Sequence, residues 1–314
     1  KRYDGSRRSV KQKATFALFV VTIIWGWTFV WLKQALDTAE LYSSGNQINI
    51  VSTFFVALRF GFAILLFFIF VPSLRKEIRG YQVWSDGFIL SMFMLGGFVF
   101  QMIGLEGISP AVSAFLTSLY VLFTALILAW YAGKLQNRNL ILGVVLATFG
   151  AGFIQGPPQL HYDISEWLTI LCALMFAGHI IFTDISTKRV SPLGLTFTSI
   201  TISTLLCFLL FDLFLFLDVG KVDMVGLLSD TQFLYPLLLS SIFGTFGALA
   251  LVNLYQKYMD PVRAAILYAL EPVWATFLAI SLDMAEFTFW LVVGGGLLLI
   301  GNLIAELGNQ SVSE

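Results

Sequence analysis

Apolar residues recur along this chain in runs of about 20, separated by short stretches that collect Gly, Pro, Asn, Asp and charge. A helix rises 1.5 Å per residue, so each run is long enough to cross a hydrocarbon layer of roughly 30 Å. The pattern predicts ten spans, at about 14–35, 50–71, 86–105, 110–132, 138–155, 165–186, 192–217, 232–256, 261–282 and 287–307. The run at 192–217 is the least regular, because Asp212 interrupts LLCFLLFDLFLFL. Without it the count falls to nine.

Basic residues decide between the two counts, since Lys and Arg accumulate in cytoplasmic connections. Six lie before the first span, at Lys1, Arg2, Arg7, Arg8, Lys11 and Lys13. Every second connection repeats the excess: Arg75, Lys76 and Arg79, then Lys134 and Arg138, then Lys188 and Arg189, then Lys257 and Arg263. The intervening connections hold only Lys33 and Lys221, and Arg59 lies within a span. Ten spans with both termini cytoplasmic satisfy this alternation, and nine would scramble it.

Composition agrees with a polytopic membrane protein. Of 314 residues, 58% are hydrophobic, 12% are charged and 31 are Phe, too few charges to coat a soluble surface of this size. The basic N-terminus runs into a full-length span without a small-residue cleavage site, so the first span is expected to stay as an anchor. Cys172 and Cys207 both fall in apolar spans and are expected to be buried thiols rather than a disulfide. The expected surroundings are a lipid bilayer and a small-molecule substrate, with no nucleic acid, no cofactor and no metal. The protein is expected to be a monomer or homodimer in a cell membrane, a bacterial inner membrane above all.

The chain also resembles itself. Displaced by 151 residues, SPAVSAFLTSLYVLFTALI (109–127) lies over DPVRAAILYALEPVWATFL (260–278), pairing Pro110 with Pro261, Ala114 with Ala265 and Leu119 with Leu270. The same displacement lays Gly96 on Gly247, Gly143 on Gly294 and Gly150 on Gly301. The divisions expected are a basic segment at 1–13, a first five-helix repeat at 14–155, a linker at 156–164, a second repeat at 165–307 and a tail at 308–314. Five crossings per repeat force the second to enter from the opposite side, so the halves are inverted copies. That architecture is common among secondary transporters, whose sites lie near the midplane where helices are broken.

Span 9 carries the most informative residues. It is expected to start at Asp260-Pro261, as span 4 starts at Ser109-Pro110, each a cap followed by proline in the first turn. Ten residues on, roughly 15 Å deeper, stands Glu271, followed by Pro272, which cannot donate to the carbonyl of Tyr268. A carboxylate at a helix centre costs about 2.5–3.5 kcal/mol on insertion scales and turns toward the bundle interior or a wet cavity. Glu271 either contacts substrate, exchanges a proton, or is a protonated packing residue hydrogen-bonded to a neighbouring helix.

Helical spacing and the 151-residue displacement extend the site. Tyr268, Glu271 and Trp274 share a face of span 9, and their counterparts are Thr117, Tyr120 and Phe123. Thr28 pairs with His179, and Met102 with Asn253, beside Gln101. A symmetric interior is expected from Trp25, Trp27, Thr28, Gln101, Thr117, Tyr120, His179, Asn253, Tyr268, Glu271 and Trp274. His179, Gln101 and Asn253 serve equally as bonds between helices. Arg59, in FFVALRFGF, either attracts an anionic group, pairs with Glu271 or is a structural ion. Trp27 and Trp31, four apart, with Tyr120, Tyr268, Trp274 and Glu271, would make an aromatic, acidic cage for an organic cation, or else an interfacial belt. Gly143, Ala147 and Ala151 make a small-residue stripe in span 5, matched by Gly294, Gly301 and Ala305 in span 10, for packing on each other or on a second subunit.

From about 14 to 307 the chain resembles the EamA-type ten-helix transporters of the drug/metabolite transporter superfamily. The marks are IIWGWTF in span 1, LRF in span 2, SPAVSAFLTSLYVLFTALI in span 4 and YALEPVWATFLA in span 9, with a glycine-rich last span. The resemblance implies a central cavity open to alternate sides and, for many members, export of amino acids or related metabolites. Val121 stands where such proteins commonly have a second proline, so the kink is expected in the second half only. Trp27 and Trp31 occupy positions that are usually smaller or more polar. An enzyme is not expected: there is no HExxH, no GKS or GKT phosphate loop, and only two histidines, His161 and His179. Uphill movement would then draw on an ion gradient, with a coupling proton, or on the substrate gradient.

Overall fold

The computed structural model describes residues 2–44, 48–133, 137–154, 156–157, 162–217, 221–259, 264 and 267–310. It is mostly helical. Among the described residues seven helices are long and apolar enough to cross a membrane, and two shorter apolar helices accompany them. In chain order these are α1 (Arg2–Glu40), α2 (Ile48–Phe70), the short α3 (Leu74–Glu77), α4 (Tyr81–Gly104), α5 (Pro110–Thr117), α6 (Leu119–Tyr131) and α7 (Arg138–Phe153). The second half holds α8 (Ile164–Ser186), α9 (Pro192–Leu217), the short α10 (Met224–Ser229), α11 (Thr231–Leu239), a π-helical segment (Ser240–Gly247), α12 (Ala248–Tyr255), α13 (Glu271–Ser281) and α14 (Phe289–Gln310). The protein is a multi-pass membrane protein. Asp212 does not interrupt α9, which runs unbroken to Leu217.

Local chemistry explains the helix starts. Ser109 accepts from the Val112 amide with Pro110 in the first turn, and Asn137 caps α7 in the same way. At α8, Asp163 and Glu166 form a reciprocal capping box that satisfies two otherwise orphaned amides. The Asp260-Pro261 start lies outside the described residues, as does His161.

The halves are interleaved. α4 lies against α8 and α9, while the α11–α12 region, its counterpart under the 151-residue displacement, lies against α1 and α2. α1 packs on α13, and its counterpart α8 packs on α5 and α6; α2 meets α9, and α7 meets α14. These contacts thus have equivalents with the halves exchanged.

The α7–α14 pair shows why glycine is needed. A Cβ on Gly150 would sit 2.4 Å from the Leu298 nitrogen, and one on Gly294 would sit 2.6 Å from the Ile154 Cα. Gly143 and Gly301 meet the opposing helix at 2.6 and 2.5 Å in the same sense. These are backbone atoms that cannot swing aside, so the two helices touch without intervening side chains. The small-residue stripes therefore pack on each other.

Both ends of the bundle are tied across the chain. At one end Arg189 makes a two-pronged ion pair with the buried Asp86, at 2.7 and 2.6 Å. At the other end Ser43–Ser44 pairs antiparallel with Lys221–Val222, and the Tyr42 hydroxyl donates to Asp230 at 2.8 Å. That hydrogen bond and the nearby Asp230 charge hold the Tyr42 phenol above its ordinary pKa.

Candidate functional site

The span holding Glu271 is broken at that residue. Leu267 and Tyr268 are helical, Ala269 and Leu270 form a turn, and α13 begins at Glu271 with Pro272 in its first turn. Proline costs little there, because a first-turn amide has no partner within the helix in any case. Rather than kinking a continuous helix, Pro272 starts a new one, with Glu271 at its first position.

The first half is broken at the equivalent place without a proline. α5 ends at Thr117 and α6 starts at Leu119, so Ser118 is the hinge, and 151 residues on stands Ala269 in the second break. The expectation of a kink in the second half alone is thus corrected. Asn302 of α14, fully buried, donates to the Ser118 carbonyl at 3.0 Å and to its hydroxyl oxygen at 3.2 Å. The carboxamide supplies the partner that a carbonyl at this depth requires. Ser118 in turn donates to the Phe115 carbonyl at 2.6 Å.

Between the two breaks lies a cavity of about 50 Å³, room for a few waters. Trp25, Thr28, Gln101, Tyr120, His179, Tyr268 and Glu271, all expected from sequence, stand in its wall. The remainder is apolar: Phe29, Phe98, Phe176, Ile180 and Leu249. Under the 151-residue displacement Trp25 falls on Phe176, Thr28 on His179, Phe29 on Ile180, Phe98 on Leu249 and Tyr120 on Glu271. The wall is therefore built from equivalent positions of both halves. The apolar members carried no chemical signal of their own, but the displacement that pairs Thr28 with His179 reaches them too.

Among the described residues Glu271 is the one carboxyl in this wall, and no Lys or Arg joins it there. The buried Tyr120 hydroxyl faces the carboxyl across the cavity without reaching it in hydrogen-bond geometry. Tyr268 is held by its hydroxyl, which donates to Gln256 at 3.1 Å, and Gln256 donates to the Ile180 carbonyl at 3.1 Å. Gln256 is fully buried and had no signal in the sequence, since its counterpart is Leu105. Trp25 lies 5.6 Å from the Tyr268 ring and donates its indole N–H to the Gly244 carbonyl of the π-helical segment at 3.2 Å. Thr28 donates to its own helix at the Trp25 carbonyl.

Five expected residues stand outside the wall. Trp27 stacks on Trp31 at 5.9 Å, on the side of α1 away from Trp25. Trp274 packs edge-on to Phe19 and presses its Cβ against Gly26, where an added Cβ would come within 2.7 Å. Asn253 donates to Thr196 and so ties α12 to α9, a bond between helices. Thr117 is buried one turn from Tyr120. Arg59 is buried behind the wall: its Nε donates to Thr245 at 2.6 Å and its guanidinium lies 4.6 Å from the centre of the Phe98 ring. No ion pair between Arg59 and Glu271 is formed among the described residues.

The aromatic enclosure of Glu271 is thus formed by Trp25, Tyr120 and Tyr268 rather than by Trp27, Trp31 and Trp274.

Comparison with known proteins identifies the family. An "Uncharacterized transporter" from Archaeoglobus fulgidus is 28% identical over 306 residues, covering 97% of this chain and 89% of its own. A solved structure described only as "Crystal structure of protein" covers 94% of this chain and 99% of its own with a TM-score of 0.58 at 17% identity, a likeness of fold alone. One family description, EamA-like transporter, matches twice, at residues 12–155 and 163–306. From 12 to 163 and from 155 to 306 the displacement is again 151 residues. The chain belongs to the EamA-like transporter family.

Proposed function

We propose that this transporter exports a small amine-bearing metabolite, such as an amino acid or a related amine, by alternating access around the cavity at Glu271. In this reading ten spans form two inverted five-helix repeats with both termini cytoplasmic, which the alternation of Lys and Arg supports. The observation that carries the reading is the cavity wall itself, drawn pairwise from both halves and holding one carboxyl at the break of a helix. Exchange of the halves' conformations would open that wall to alternate sides while the carboxyl stays near the midplane. Glu271 binds the substrate amine or exchanges a proton as the site turns.

The aromatic members of the wall favour a second reading, transport of a quaternary amine. A thermal-shift series separates the two. Phenylethylamine should raise the midpoint of the purified protein, whereas the alcohol and the carboxylate of the same size should not, because a bound ligand stabilises in proportion to its occupancy. The trimethylated amine should match the primary amine in a cation–π cage and fail in a site that hydrogen-bonds N–H. Equal shifts from the carboxylate and the amine would overturn both readings.

A further inference from the structure

Buried hydroxyls follow one another along one face of span 4. Ser109, Ser113, Thr117 and Tyr120 follow at steps of four, four and three, and so lie on one side of the helix. Ser113, Thr117 and Tyr120 are 0%, 1% and 3% exposed, and none of their hydroxyls has a hydrogen-bond partner. A buried threonine can satisfy itself on its own helix, as Thr53, Thr124 and Thr204 do on the carbonyls of Asn49, Tyr120 and Ile200. An unmade buried hydrogen bond costs the desolvation of the group. Three in succession along one face call for a state in which they are solvated.

The stripe joins two cavities. Tyr120 opens onto the central one beside Glu271. At the other end Ser109 and Val112 line a second cavity of about 300 Å³, with Lys33, Glu106, Glu286 and Leu291 around it. Lys33 is engaged there: its Nζ donates to the carbonyls of Leu105 at 3.3 Å and Glu106 at 2.9 Å, with Asp37 3.5 Å away. The exposed carboxylates of Glu106 and Glu286 set the sign of the rim.

We propose that the second cavity is an outer vestibule that receives the ammonium group of a departing organic amine. In the same proposal Ser113, Thr117 and Tyr120 line the closed path from Glu271 to it. This rests on the transporter reading above for which side is outer. When α5 parts from its neighbours, the three hydroxyls meet water or the passing ammonium, and their unmade bonds are made.

The test uses protein with Cys172→Ala and Cys207→Ala, carrying Ser113→Cys, in sealed membranes. The probes are a membrane-impermeant thiol reagent bearing a trimethylammonium group and a neutral reagent of similar size. Glu286→Cys reports the vestibule side, and Ser203→Cys, fully buried between α4 and α9, reports the background rate. Ser113→Cys should be labelled from the side that labels Glu286→Cys, roughly tenfold faster than Ser203→Cys. Glu106→Gln with Glu286→Gln should slow the cationic reagent and leave the neutral one unchanged. A Ser113→Cys protein that reacts no faster than Ser203→Cys, or from the opposite side, would overturn the path. Rim variants without effect on the cationic reagent would overturn the ammonium vestibule. Labelling as expected beside a silent amine series in the thermal-shift assay would keep the path and sink the amine substrate, so the two failures are distinct.

Discussion

Glu271→Gln is expected to remove transport while leaving the folded protein as stable as before. The substitution keeps the size and the hydrogen-bonding reach of the side chain but removes the negative charge, and Glu271 is the one carboxyl in the cavity wall among the described residues. Losing the charged partner of a desolvated pair costs about 2–5 kcal/mol. At 1.4 kcal/mol per tenfold, that is roughly thirtyfold or more in apparent affinity for an amine. Uptake into proteoliposomes at a fixed low concentration of amine should therefore fall nearly to background. The thermal midpoint without ligand should change little, because Glu271 makes no ion pair among the described residues. A variant that keeps its flux but loses the dependence of flux on pH would assign Glu271 to proton exchange rather than to holding the amine. Unchanged flux with unchanged pH dependence would remove Glu271 from the mechanism.

The largest effect on stability is expected at Gly150. Its missing Cβ lets α7 lie on α14, and an alanine there would place a carbon 2.4 Å from the Leu298 nitrogen and 2.6 Å from the Gly294 carbonyl oxygen. Relief requires the helices to separate along a contact that Gly143, Gly294 and Gly301 make equally close. Overpacking of this kind costs about 1–3 kcal/mol, and more where only backbone can move. Gly296, on the same helix α14, is the control, since a Cβ there meets nothing within 4 Å. Alanine is the better helix former by about 1 kcal/mol. Gly150→Ala should lower the thermal inactivation midpoint in detergent, whereas Gly296→Ala should hold or raise it. The same fall for both would mean that α7 and α14 do not touch as described.

Much of the molecule was legible in the sequence because it was written there twice. The displacement of 151 residues that pairs Gly150 with Gly301 is a contact in space, and the pairing of Tyr120 with Glu271 is two sides of one cavity. Direction around a helix was harder. Trp27 and Trp25 are two residues apart and point to opposite sides, and nothing in WGWTFVW says which side is the interior. The break at Ser118 was hidden because Asn302, the group that makes it tolerable, is 184 residues away and has Ala151 as its counterpart. Gln256 was hidden for the same reason: its task is to hold Tyr268, and only the fold brings them together.

The two halves are expected to stand upside down relative to one another around a shared cavity. Tyr81, the first residue of α4, and Gln232, in the first turn of α11, are both exposed and are related by the same 151 residues. Cysteines placed singly at these positions, in protein without Cys172 and Cys207, can be labelled with an impermeant reagent in membranes of known sidedness. Labelling of Tyr81→Cys from the cytoplasmic face and of Gln232→Cys from the opposite face is the predicted result. Labelling of both from one face would contradict the inversion, and with it the account of how the cavity is reached.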